Sequence, residues 1–212
     1  MPLLLLLCST LTVHAQGVIT FSQPTTGGGW NGTDQMQGWE FIPQVDVSVT
    51  ELGIYDGQIP TGFNQPHSVA IWTDNGDLVT SASIPSGTSA PLQNNFRYAD
   101  VAPTTLLAGQ TYVIGAFYPT PVSDYTVLWE RNGLGNVVFV DPRLDFVAYR
   151  SGPSPGGISF PATRDTGYVG GFGPSFVIGI PEPGAVAFLG VALAVGMLRA
   201  GRWRKRAVKA IH

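Results

Sequence analysis

The sequence is poor in cysteine and in charge, and most of its length holds no lysine. Its single cysteine, Cys8, lies in the N-terminal apolar stretch. A body lacking it can form neither a disulfide framework nor a cysteine-ligated zinc site. Charged residues are 12% of the 212, about half the usual share. That excludes a long charged coiled coil and a nucleic-acid-coating protein. All fourteen acidic residues fall between Asp34 and Glu182, whereas residues 16–184 contain only five basic ones, all arginine, giving this body a net charge of −9. Phosphate contacts need Arg and Lys, so nucleic acid is not an expected partner. The remaining six cations, Arg199, Arg202, Arg204, Lys205, Arg206 and Lys209, crowd the last 14 residues.

What the chain does have is 44% hydrophobic residues, 27 glycines and 17 prolines. That is too apolar for a disordered protein and too rich in turn formers for a helical one. The expected fold is all-β: an antiparallel β-sandwich or jelly-roll-like domain over residues 16–180, with one C-terminal transmembrane helix.

Both ends read as addresses. Leu3–Val13 is an apolar run followed by Val13-His14-Ala15, the shape of a secretory signal peptide with a small-residue cleavage site. The basic residue that normally precedes such a run is absent, and a run of five leucines makes a poor buried strand. Leu7 stands where lipid attachment at Cys8 would need a small residue. At the other end, the 15 residues Gly184–Leu198 carry no charge. As a helix they span about 22 Å, short of the ~30 Å hydrocarbon core. Arg199 and Arg202 can extend the span by snorkelling. Six cations immediately after the run disfavour a buried core helix and set the tail on the cytoplasmic side. Pro181 and Pro183 precede the helix, where a missing N–H does no harm.

The order Pro181-Glu182-Pro183, an uncharged span and an Arg-rich stub (Arg199, Arg202, Arg204, Lys205, Arg206) resembles the PEP-CTERM sorting signal of exopolysaccharide-producing Gram-negative bacteria. The resemblance covers residues 181–206, leaving 207–212 as an extension, and Gly184 stands where Ser or Thr is commoner. It implies processing by an exosortase, an integral membrane protease, as partner. It also implies residence at the inner membrane before release to the envelope or an exopolysaccharide matrix.

Within the body, strand signals recur between Gly, Pro, Asn and Asp. Val45, Val47 and Val49 alternate on one face, and Leu52 and Ile54 continue on the opposite parity, which predicts a bulge near Glu51–Gly53. Ser68–Thr73 and Leu78–Ile84 flank Asn75-Gly76, a hairpin signal in which both turn residues take positive φ. Phe96–Val101 and Tyr112–Tyr118 are further strands, the latter apolar on both faces and therefore central. Weaker strands fall at Val137–Val140, Phe146–Arg150 and Ser175–Ile180. From Gly38 to Pro119, the segments Gly38-Trp-Glu-Phe41, Val49–Tyr55, His67–Trp72, Gly76–Leu78, Phe96–Tyr98 and Leu107–Val113 resemble a β-sandwich domain of unknown function found in secreted bacterial proteins. That resemblance implies fold and location, and no activity.

Candidate chemistry is sparse. His67 is the one histidine outside the two ends. It lacks a Gly-x-Ser-x-Gly elbow and any second ligand at metal spacing. A structural hydrogen bond to a backbone carbonyl at a strand entry is the simpler role. No spacing singles out a glycosidase carboxylate pair among Glu40, Glu51, Glu130 and the aspartates. Asp74-Asn75-Gly76-Asp77 offers calcium-type oxygens but lacks the rest of an EF-hand loop, and the hairpin explains the same residues. Neither a metal nor a cofactor is expected. Trp30, within Gly27-Gly-Gly-Trp-Asn-Gly32, and Trp129 are the candidates for glycan contact, while Trp72 within Val-Ala-Ile-Trp reads as core. The expectation is a non-enzymatic exported surface or matrix protein. The alternatives are a carbohydrate-binding module for exopolysaccharide and, behind it, a secreted glycan-active enzyme.

Overall fold

The seven-residue run Tyr112–Tyr118 is uncharged, and its central glycine, Gly115, lets the side chains of Met36, Trp72 and Pro161 approach it closely. It becomes the strand around which the larger sheet is built. The computed structural model describes residues 16–21, 34–120, 124, 126, 138–167 and 171–179. The chain divides into two units, Met1–Gly179 and Ile180–His212; every described residue lies in the first.

The strands are β1 Ile19–Phe21, β2 Gln35–Pro43, β3 Val47–Tyr55, β4 His67–Thr73, β5 Leu78–Ile84, β6 Leu92–Gln93, β7 Phe96–Leu106, β8 Tyr112–Tyr118, β9 Val138–Val140, β10 Leu144–Pro153, β11 Thr163–Asp165 and β12 Pro174–Ile178. A six-stranded sheet runs β11-β10-β2-β8-β4-β5, a four-stranded sheet runs β12-β3-β7-β6, and β1 pairs with β9. All pairings are antiparallel. Among the described residues there is no helix, and none long and apolar enough to cross a membrane. The span expected at Gly184–Leu198 lies outside the described residues.

The two larger sheets enclose one core. Alternate residues of β2, β4 and β8 (Trp39 and Phe41, Val69 and Ile71, Ile114 and Ala116) meet Val49, Leu52, Ile54, Tyr98 and Phe176 from the smaller sheet. Trp39 stacks with Phe176 at 6.2 Å between ring centres, and Phe41 lies 5.2 Å from the same ring. Large aromatic pairs of this kind dominate sandwich cores because each buries much apolar surface. The other face of the larger sheet is also covered. Met36, Ala70 and Trp72 form a small cluster under Phe117 and Phe160, and a side chain at Gly115 would press on Met36, Trp72 and Pro161. Trp72 is therefore buried, in this outer cluster rather than in the main core.

Several expected boundaries hold and some shift. β5 and β8 have the expected bounds. The parity switch in β3 falls at Thr50, where the ladders to both β7 and β12 slip between Val49 and Glu51. Val45 is not on β3: it lies in the β2–β3 turn, half exposed. The turn is fixed there by Asp46 Oδ1, which accepts from the Ala108 N–H at 2.8 Å, and by Gln44 N–H donating to Arg143 O at 2.7 Å. β7 runs five residues beyond Val101, through Pro103, because Ala102-Pro103 sits at a ladder irregularity where a missing N–H is tolerated. At the β4–β5 turn only Gly76 has positive φ, at 89°. Gly76 N–H donates to Thr73 O and Thr73 N–H to Asp77 O. The connection is thus a type I turn closed by a left-handed glycine. Two successive positive φ values occur instead at Asn94-Asn95 (49° and 66°), between β6 and β7, and at Gly156-Gly157 (86° and 134°), between β10 and β11.

Candidate functional site

His67 opens β4 and is fully buried. Its Nε2 lies 3.0 Å from Asp124 Oδ2 and its Nδ1 3.4 Å from Phe117 O. Both ring nitrogens thus face acceptors. Asp124 is equally buried and also accepts from Asn64 N–H, Asn64 Nδ2 and Gln65 N–H. Burial alone would raise the Asp124 carboxyl. The His67 and Asn64 hydrogen bonds outweigh it and hold the group below the usual carboxylate range. Phe63 packs edge-on to the imidazole at 4.9 Å. With both nitrogens committed and no exposed surface, this histidine is built to fasten the 64–65 loop to Asp124. The expected carbonyl partner and strand entry are there. The carboxylate, 57 positions away, is not legible in the sequence, since nothing local links the two.

A second buried pair sits at the same end. Arg97 Nε donates to Asp56 Oδ2 at 2.6 Å, and its Nη1 reaches the Thr88 and Ala90 carbonyls. A third group lies on the outer face of the larger sheet. Glu40, on β2, accepts from Arg150 Nε at 2.7 Å and from Arg164 Nε at 2.8 Å, and Arg150 Nη2 continues to Asp74 Oδ1 at 2.8 Å. The Arg150 guanidinium lies 5.6 Å from the Phe160 ring centre, in cation–π range. Glu40, weighed as a possible carboxylate of a glycosidase pair, is thus spent on two arginines that tie β2, β10 and β11 together.

At the opposite end of the sandwich the polar residues are open to solvent. Between the β4–β5 turn and the β7–β8 turn lies a cleft of about 360 Å³, lined by Thr73, Asp74, Asn75, Asp77, Gln110 and Thr111 among others. The two turns are tied by the Asp74 N–H, which donates to Thr111 O at 3.2 Å. Asp74 and Asp77 do not converge on a vacant cation position: Asp74 is bridged to Arg150, and no group of three or more His, Cys, Asp or Glu among the described residues could hold a metal. Gln110 and Thr111 were not singled out by sequence, because only the fold brings them beside Asp77.

The sequence candidates Trp30, Trp129, Pro181, Glu182, Pro183, Arg199, Arg202, Arg204, Lys205 and Arg206 lie outside the described residues. The described tryptophans, Trp39 and Trp72, are both buried.

Fold and site together define an all-β sandwich-like domain whose buried ionic groups serve the fold. The chain belongs to a family described as a domain of unknown function (DUF4082), whose model matches residues 22–134. The match encloses the Gly38–Pro119 stretch expected from sequence and extends beyond it on both sides. No curated protein matches the chain.

Proposed function

We propose that this is a non-enzymatic protein exported across the inner membrane and delivered to the cell surface or extracellular matrix through its C-terminal signal. One observation carries the reading. Pro181-Glu182-Pro183, an uncharged 15-residue run and the cationic stub Arg199–Arg206 follow one another in that order. Positive charge flanking an apolar span orients it with the stub in the cytosol, leaving the acidic, lysine-free body outside. The membrane holds the chain by this span until an exosortase-type protease recognises the motif. The non-enzymatic part rests on His67, the body's one imidazole, which is sealed between two acceptors.

The test is fractionation of cells making a chain with Pro181→Ala, Glu182→Ala and Pro183→Ala together. The altered chain should stay at the inner membrane at a larger size than the mature form. Wild-type location and size would refute the sorting role.

A second reading, compatible with the first, is a carbohydrate-binding module for exopolysaccharide. It is favoured by the open polar cleft between the β4–β5 and β7–β8 turns.

A further inference from the structure

Residues at the two ends of the sandwich differ in what they leave available. At the end that carries His67, the charged side chains are used up internally. At the other, the short turns hold hydrogen-bonding groups on one rim of the cleft and exposed carbon on the turns around it. Asn75 and Gln110 each offer an amide that both donates and accepts, Thr73 and Thr111 offer hydroxyls, and Asp77 offers a carboxylate acceptor. Six large hydrophobic residues are exposed among the described ones, and three of them sit on this end: Val45, Leu78 and Leu107. Val45 and Leu107 stand on the β2–β3 and β7–β8 turns, and Leu78 opens β5 directly after Asp77. The β7–β8 turn reaches the β2–β3 turn through Gly109 N–H to Pro43 O, and the β4–β5 turn through Asp74 N–H to Thr111 O. Singly, an exposed aliphatic residue means little. Three around one polar cleft make an amphiphilic surface.

Resting on the carbohydrate-binding reading, we infer that this cleft is a subsite for a neutral sugar ring of a polysaccharide. A pyranose matches both parts of the surface, because it presents hydroxyls at its edge and C–H groups on its faces. The volume, about 360 Å³, falls in the small-molecule range. Charge selects the class of sugar. Arg150 is bridged to Asp74, but among the described residues the Asp77 carboxylate has no cationic partner. An anionic sugar would meet that charge unpaired, and like charges in one site repel. The subsite therefore discriminates against uronic acids and sulfated sugars. A single ring held by a few exposed hydrogen bonds binds weakly, on the order of millimolar; a polysaccharide gains strength by presenting many rings at once.

The experiment titrates the purified full-length chain with tetrasaccharides of neutral α- and β-linked hexoses, with a polyuronate tetrasaccharide alongside. Asp77→Ala, Gln110→Ala, Trp30→Ala and Trp129→Ala variants are compared, each checked for an unchanged thermal transition. At least one neutral tetrasaccharide should bind, the polyuronate should bind at least about tenfold more weakly, and Asp77→Ala and Gln110→Ala should each weaken binding about five- to tenfold. The tryptophan variants should bind as wild type. Neutral-sugar binding that survives both cleft variants and is lost in Trp30→Ala or Trp129→Ala overturns the subsite and leaves the carbohydrate reading standing. Stronger binding of the polyuronate also overturns the subsite. Absence of binding to every oligosaccharide overturns both, without touching the sorting role, which is read by localisation.

Discussion

Where β4 begins, His67, Asp124, Arg97 and Asp56 are buried and matched pair by pair; where β4 ends, Asp74 and Asp77 lie in short turns open to water. Both ends must terminate strands and satisfy loose backbone groups. The first does so over long connections, such as residues 56–66 between β3 and β4, which have no ladder of their own. Side chains substitute for it: Asp124 takes the Asn64 and Gln65 N–H groups, Arg97 the Thr88 and Ala90 carbonyls. The second end uses tight turns that close mainly by backbone bonds, such as Thr73 N–H to Asp77 O, with Thr73 Oγ1 and Asp46 Oδ1 each accepting one further N–H. Asn75, Asp77 and Gln110 are exposed there. Charge is thus buried and structural at one end, and at the other Asp77 holds it open to water.

This contrast can be broken by mutation. The largest effect belongs to the buried pairs. Arg97→Ala leaves Asp56 buried and unpaired and orphans two carbonyls, so it should cost about 3–5 kcal/mol in urea unfolding. Asp124→Ala should cost about 3 kcal/mol for the same reason, with His67 left facing one acceptor fewer. At the open end, Gly76→Ala forces a Cβ onto a residue at φ 89° and should cost about 1–2 kcal/mol. Asp77→Ala and Gln110→Ala should stay within about 0.5 kcal/mol of wild type. If those two destabilise as much as Arg97→Ala, the distinction between the ends is wrong.

Acid sharpens the comparison. The Asp124 carboxyl is held low by His67 and Asn64 against the opposing effect of burial. A depressed carboxylate contributes stability that is fully present above its unfolded value, about 3.9. That stability is lost as pH falls through the lower folded value. Stability should therefore drop below about pH 4, and Asp124→Asn should flatten that limb. Arg143 depresses Asp141 similarly, chiefly by hydrogen bonding, and will add a smaller share because the pair is partly exposed. Glu51 shifts the other way: burial raises it first, and Asp100 directly across the ladder raises it further. Glu51→Gln should act in the opposite direction, a gain of up to about 1 kcal/mol at pH 7.

The sequence made the strands more legible than the site. β5 and β8 are visible because each is an uncharged run bounded by turn formers, and β8 reads as central because it is apolar on both faces. β2 is harder to see. Gln37 and Glu40 interrupt its apolar pattern, yet both are buried, Glu40 through arginines more than a hundred positions away. β6 and β11, of two and three residues, carry too few positions for any period to show. Val45 extends the alternation of β3 by one step, but bonds from Asp46 to Ala108 and from Gln44 to Arg143, both distant in sequence, take it out of the ladder. Asp74–Asp77 stands out in the sequence for its oxygens. Its neighbours across the cleft, Gln110 and Thr111, depend on register between β4 and β8, which pairs Thr73 with Tyr112. Composition cannot supply that pairing.

The delivery of this domain is the claim on which the rest of the function depends, and the mass of the mature protein from its native host addresses it most directly. The account predicts a product lighter than the 22.5 kDa chain, lacking residues 1–15 and the cationic stub that ends the sequence. Recovery of the whole chain at its full mass, with both ends intact, would contradict it.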